Sequence, residues 1–223
     1  TTFKIRYLVE NQKMFRVSRM KEHGLSQQIE EKIIKELTDS ASKVQCVLIS
    51  DFVYGVITPR VLATITELVA KHSLLVIGDL QCSSQVGNVS KFKDFELICP
   101  TEREARIAVG TQDEGVEWVA NALMSQTKSK NLVMKLGGQG FIAYETETDS
   151  FINRQHFPAL SINPVDVSGA GDSLLAALSV GLCSNASLME SSAIGAGMAA
   201  LAVQQIGNIP ISNQQLKNYL NKL

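Results

Sequence analysis

Four short apolar runs, set among helical patterns, limit what this chain can fold into more than any other feature. They are Cys46-Val-Leu-Ile-Ser up to Asp51, Leu74-Leu-Val-Ile up to Gly78-Asp79, Phe95-Glu-Leu-Ile-Cys up to Pro100, and Leu132-Val-Met-Lys-Leu up to Gly137-Gly138. Such runs have strand length, and a continuous apolar run such as Cys46–Ser50 predicts a strand buried on both faces. Leu25, Ile29, Ile33 and Leu37 recur every four residues, which predicts an amphipathic helix from about Ser26 to Ser42. Thr58-Pro59 pairs an N-cap with a proline at the first helical position, and Val61, Leu62, Ile65, Leu68 and Val69 then share one face. Further helices are expected over Thr101–Val109, about Glu114 to Gln126, from Ala170, from Leu188 to Gln205, and from Ser212. Phe3–Val9 and Met14–Val17 read as two strands around a turn at Glu10-Asn-Gln-Lys, and Gly140–Glu145 and Ser150–His156 as later β segments. Strands interleaved with helices in this way predict an α/β domain with a mostly parallel sheet.

Ligands of such sheets bind beyond the carboxyl ends of the strands. Asp51, Asp79, Thr101–Glu104 and Gly137 are all expected there. The same place is predicted for Ile162-Asn-Pro-Val-Asp-Val-Ser-Gly-Ala-Gly-Asp-Ser-Leu-Leu-Ala-Ala-Leu178, an extended segment, a Gly-Ala-Gly turn and an apolar helix. The first N–H groups of that helix have no intrahelical partner and lie at its positive end, so they form an anion site. Asp172 falls in the first turn. It reads either as a dipole partner or as the base that takes a proton from an attacking hydroxyl in phosphoryl transfer. Thr101-Glu-Arg-Glu104 spells a capping box, and the alternative role of Glu104 is to orient a hydrated Mg2+.

Bulk properties exclude several classes. The 223 residues suit one sizeable core, and 45% hydrophobic with 19% charged residues is an ordinary globular composition. A net charge of −1 argues against a nucleic-acid partner or a polybasic membrane surface. No apolar run approaches the roughly 18 residues that span a bilayer. The start, Thr1-Thr-Phe-Lys-Ile-Arg, lacks the pattern of a secretory signal and lacks an initiator Met, as expected of a processed, trimmed or partial chain. Cys46, Cys82, Cys99 and Cys183 lie far apart without a CxxC, and three histidines show no ligand spacing, so reduced thiols in a cytoplasmic protein are expected. There is no linker, repeat or low-complexity tract. Gly195-Ala-Gly-Met-Ala-Ala200 imitates a dinucleotide fingerprint, but no strand precedes it and no acidic residue follows Glu190. Close helix packing explains it better. A nicotinamide enzyme and a P-loop are both disfavoured.

Three motifs in order, Pro100-Thr-Glu-Arg-Glu104, Lys135-Leu-Gly-Gly-Gln-Gly140 and Asp166-Val-Ser-Gly-Ala-Gly-Asp172, make the chain resemble the PfkB/ribokinase family of carbohydrate kinases. The resemblance covers the whole chain as the C-terminal two-thirds of one family domain. Thr2-Phe-Lys-Ile-Arg6, Asn11-Gln12, Arg16, Ser50-Asp51 and Gly55 are most similar to its heptose 7-phosphate kinase branch. It implies a three-layer α/β/α sandwich with a small β lid from residues 1–18, and transfer of the γ-phosphoryl of ATP to a sugar or sugar-phosphate hydroxyl. Asp172 would be the base, with Gly169, Ala170 and Gly171 as the anion hole. Thr101, Glu104, Lys135, Gly137, Gly140, Ala196 and Ala199 would serve the nucleotide, Glu104 acting on Mg2+ through water. Lys4, Arg6 and Asp51 would meet the sugar, and Asp166 would match a loop that holds a monovalent cation, K+ in some members. A homodimer through the lid edge is a further expectation. The chain departs from the family at Thr101, where asparagine is usual, and from the heptose branch at Tyr54 and Gln81, where lysines are usual. Lys135 or Lys91 are the candidates to replace that charge. A member that has lost catalysis and only binds nucleotide or sugar phosphate is the alternative.

Overall fold

The computed structural model describes residues 3–9, 12–19, 24–82, 86–148, 151–161, 163–207 and 209–222. A separate antiparallel pair, β1 (Phe3–Val9) and β2 (Gln12–Arg19), opens the chain. Glu10 and Asn11 of the expected turn lie outside the described residues. Helix α1 (Gln27–Ala41) follows, then β3 (Cys46–Asp51), α2 (Pro59–His72), β4 (Leu75–Leu80), β5 (Leu97–Ile98), α3 (Glu102–Val109) and α4 (Val116–Thr127). The chain continues through β6 (Asn131–Lys135), β7 (Phe141–Thr148), β8 (Phe151–Phe157), α5 (Ala170–Cys183), α6 (Leu188–Ala202) and α7 (Asn213–Leu220). The second sheet runs β3-β4-β5-β6-β7-β8, parallel through β6 and antiparallel beyond it.

Period-two alternation divides the core. Val76, Leu80, Leu132 and Met134 point into one cluster with α2, α3 and α4, backed by Ile33 and Leu37 of α1. Their neighbours Ile77 and Val133 point into the other, with Leu174, Leu175 and Leu178 of α5 and Leu188 and Ala196 of α6. Both faces of the central strands are therefore buried, and the molecule is an α/β/α sandwich. The glycines of the false fingerprint serve helix packing: a Cβ on Gly195 would sit 2.6 Å from Leu174 Cδ1, and one on Gly197 3.0 Å from Leu220 Cδ2.

Several boundaries differ from expectation. Strand β3 forms an edge of the described sheet and leaves Leu48 41% exposed, so it is not buried on both faces. Strand β4 runs on past Ile77 to Leu80, because pairing with β3 continues through Asp79 and Leu80. The Phe95–Cys99 run contributes only two strand residues; Phe95 instead stacks on Phe92 at 4.9 Å. Helix α6 stops at Ala202.

Candidate active site

The carboxyl ends of the strands and the lid enclose a cleft of about 1240 Å3. Helix α5 starts at its base. Gly169 is the N-cap at φ +82°, a left-handed conformation that suits glycine, and makes no side-chain cap. Gly140 has the second demanding backbone: at φ +89° its Cβ would run into the Phe157 carbonyl oxygen, so β7 can fold tightly against β8 only with glycine there.

Asp172 is half-buried in the first turn of α5, and its Oδ1 accepts from Gln81 Nε2 at 2.9 Å. Beneath that turn lies an ion pair set by strand register. Asp79 follows Ile77 and Lys135 follows Val133, so both face α5; Lys135 Nζ donates to Asp79 Oδ1 at 2.7 Å. Asp79 is fully buried, and its Oδ2 has no hydrogen-bond partner among the described residues. Burial pushes the Asp79 carboxyl above its ordinary range, against the pull of the Lys135 ammonium. For Lys135 the same burial works to lower it, and the Asp79 charge overcomes this and holds it raised. The ammonium also approaches the anion site, since a Cβ on Gly171 would lie 3.7 Å from Lys135 Nζ.

Glu104 does double duty. The capping box forms: Glu104 N–H donates to Thr101 Oγ1 at 3.3 Å, and Thr101 N–H donates to Glu104 Oε2 at 2.8 Å. Its Oε1 accepts from Cys82 N–H at 2.8 Å, and the side chain still lines the cleft. Each oxygen keeps a lone pair, which fits a carboxylate that would hold Mg2+ through water. Because Thr101 acts as a cap, Thr101→Asn should leave stability within about 0.5 kcal/mol, whereas Thr101→Ala should cost about 1 kcal/mol. Urea unfolding of both variants checks this, and equal losses would show that the cap is not what position 101 contributes.

Gly137, Gly140, Ala196 and Ala199 all line the cleft, with Ala200 and Val203 extending the apolar wall. Asp166, also in the lining, is buried; its Oδ1 accepts from Ser168 N–H at 2.8 Å and its Oδ2 from Gly207 N–H at 3.1 Å. At the lid end, Arg6 and Arg16 are cross-strand partners, and Lys4 shares their face. Lys4 Nζ lies 5.2 Å from the Phe52 ring centre and 5.1 Å from that of Tyr54, so a cation rests on both rings at the lid end of the cleft.

Asp51 is the exception among the expected site residues. It pairs in register with Leu80 and faces the α1–α4 layer, where Lys91 Nζ donates to Oδ2 and Val53 N–H donates to Oδ1 at 2.8 Å. It does not line the cleft, and it removes Lys91 as a replacement cation; Lys135 is the one placed there. Arg16 also lines the cleft, although no site role was expected of it; its in-register position opposite Arg6 in the hairpin was the available signal.

A three-layer α/β/α core under a two-stranded lid, with Gly-Ala-Gly-Asp opening a helix at the strand ends, is the architecture of ribokinase-like proteins. The family model "pfkB family carbohydrate kinase" matches residues 4–215, and the chain belongs to that family. It is 29% identical to a bifunctional protein HldE of Trichlorobacter lovleyi over 216 residues, 96% of this chain but 42% of the relative. The chain thus spans less than half the length of that relative. The fold is shared with Arabidopsis thaliana ribokinase complexed with ribose and ATP (TM-score 0.68, 21% identity, 94% of this chain and 65% of the other). It is shared too with Escherichia coli phosphofructokinase-2 in complex with potassium (TM-score 0.72, 20% identity, 93% and 66%). Among the described residues no helix is long and apolar enough to cross a membrane.

Proposed function

We propose that residues 1–223 form one kinase domain that transfers the γ-phosphoryl group of ATP to a sugar-phosphate hydroxyl, with a heptose 7-phosphate as the foremost candidate acceptor. One observation carries the reading: Asp172, the Gly169–Gly171 turn and Lys135 meet at one point of a cleft whose lid end is lined by Lys4, Arg6 and Arg16. In the transfer, the acceptor oxygen bonds to the γ-phosphorus as the bond to the β-bridging oxygen breaks, ADP leaves, and the hydroxyl proton passes to Asp172. The amides at the start of α5 and the Lys135 ammonium absorb the charge that develops on the transferred group. Glu104 would hold Mg2+ through water, which supplies charge neutralisation at the phosphates. Asp166 would serve a monovalent cation such as K+. The glycines of Gly137–Gly140 and the Ala196–Ala199 face would seat the nucleotide.

The cationic lid favours a phosphorylated acceptor over a free sugar. Like charges directly opposite on a strand pair repel, so Arg6 and Arg16 gain most from an anion between them. With ATP·Mg, a panel of heptose, fructose and ribose and their phosphates should show one sugar phosphate favoured over its unphosphorylated form by about a hundredfold in kcat/KM. ATP binding without ADP release for any acceptor would instead indicate a binding module that has lost catalysis.

The opposite lid face is apolar: Phe3, Tyr7, Phe15 and Val17 are exposed, and Tyr7 stacks on Phe15 at 4.5 Å. We infer that this face meets a second copy of a cytoplasmic protein. Sedimentation at micromolar concentration should give a dimer that Phe15→Lys dissociates, and a wild-type monomer would refute it.

A further inference from the structure

We propose that Gln81 is the positioning residue of Asp172, an assignment that rests on Asp172 being the base. In α3, α6 and α7 the residue three past the N-cap, Glu104, Glu190 or Gln215, turns back and accepts from the N-cap N–H. Asp172 occupies that same third position in α5, yet it makes no such bond; its Oδ1 is drawn away to Gln81 Nε2 across 91 residues of chain. Without this tether the carboxylate would have its own helix amides as partners, and it would then fill the anion site it is meant to face.

Gln81 is built to hold. Its N–H donates to Asp51 O at 2.8 Å and so continues the β3–β4 ladder, which fixes the backbone from which the side chain reaches. The next residue, Cys82, donates its N–H to Glu104 Oε1. Two consecutive residues thus tie the end of β4 to the first turns of both α5 and α3. An amide donor fixes the carboxylate without cancelling its charge, and it occupies one oxygen only. Oδ2 stays available to take the proton of the acceptor hydroxyl.

The experiment uses two substitutions of similar reach that differ in the donor. Gln81→Met should lower kcat by about 10- to 100-fold through loss of carboxylate geometry, with KM for ATP and acceptor and the urea midpoint unchanged. Gln81→His, which keeps a neutral N–H donor at similar reach, should return kcat to within about fivefold of the wild type. Equal impairment of the two variants, or a Gln81→Met enzyme within twofold of the wild type, overturns the proposal. Asp172→Asn is measured in parallel: if that variant is inactive while Gln81→Met is not, the positioning role alone fails. If Asp172→Asn keeps its turnover, the catalytic reading beneath it fails.

Discussion

Asp172→Asn is expected to lower kcat by about a thousandfold, the middle of the range for a positioned general base, while ATP affinity and fold persist. The substitution is isosteric, and the asparagine carbonyl oxygen can still accept from Gln81 Nε2, so the geometry at the start of α5 has no reason to change. What is lost is a site for the proton. The side chain is half-buried and forms no ion pair among the described residues, so the stability cost should be limited to about 0.3–1 kcal/mol from removing an acidic group at a helix N-terminus. Single-turnover kinetics with ATP·Mg and a fluorescent-nucleotide binding titration separate the two effects. Turnover within tenfold of the wild type would remove Asp172 from the chemistry.

Lys135→Ala is expected to produce the largest loss of stability, about 3–5 kcal/mol at pH 7, because it strands a fully buried carboxylate without its counter-charge. The loss should depend on pH in a defined direction. Burial already holds Asp79 above its ordinary value with Lys135 present, and without Lys135 that rise must grow. A carboxyl with a raised folded value contributes its stability fully below its unfolded value, near about 3.9. It then loses that contribution as pH climbs through the folded value. The difference between variant and wild type should therefore be smallest near pH 4–5 and widen toward pH 7. Urea unfolding at both ends of that window measures it. A deficit below about 1 kcal/mol that is flat with pH would show that Asp79 finds another partner.

Much of the architecture could be read from local chemistry. The α1 limits, the Thr58-Pro59 start, the Thr101–Glu104 box and the Gly169–Asp172 turn are each written in a few adjacent residues, and the structure has them where the residues place them. What escaped depends on pairing at a distance. Gly78-Asp79 looks like a turn until β3 is laid beside it and carries the ladder on to Leu80. Asp51 looks like a site residue until register sends it to the other face of the sheet. The contact of Gln81 with Asp172 links the end of a strand to the start of a helix that no local pattern connects. Burial of Leu48 failed for a similar reason: an apolar run does not say whether its strand is central or at an edge.

The lid turns one number, the register between β1 and β2, into an address. A slip of one residue would invert every side chain. Phe3 and Tyr7 would then face the cleft, and Arg6 would be delivered to the outer, apolar surface. A cationic face and an apolar face are thus written on the two sides of one ribbon, and neither can be edited by shifting the hairpin without exchanging it for the other.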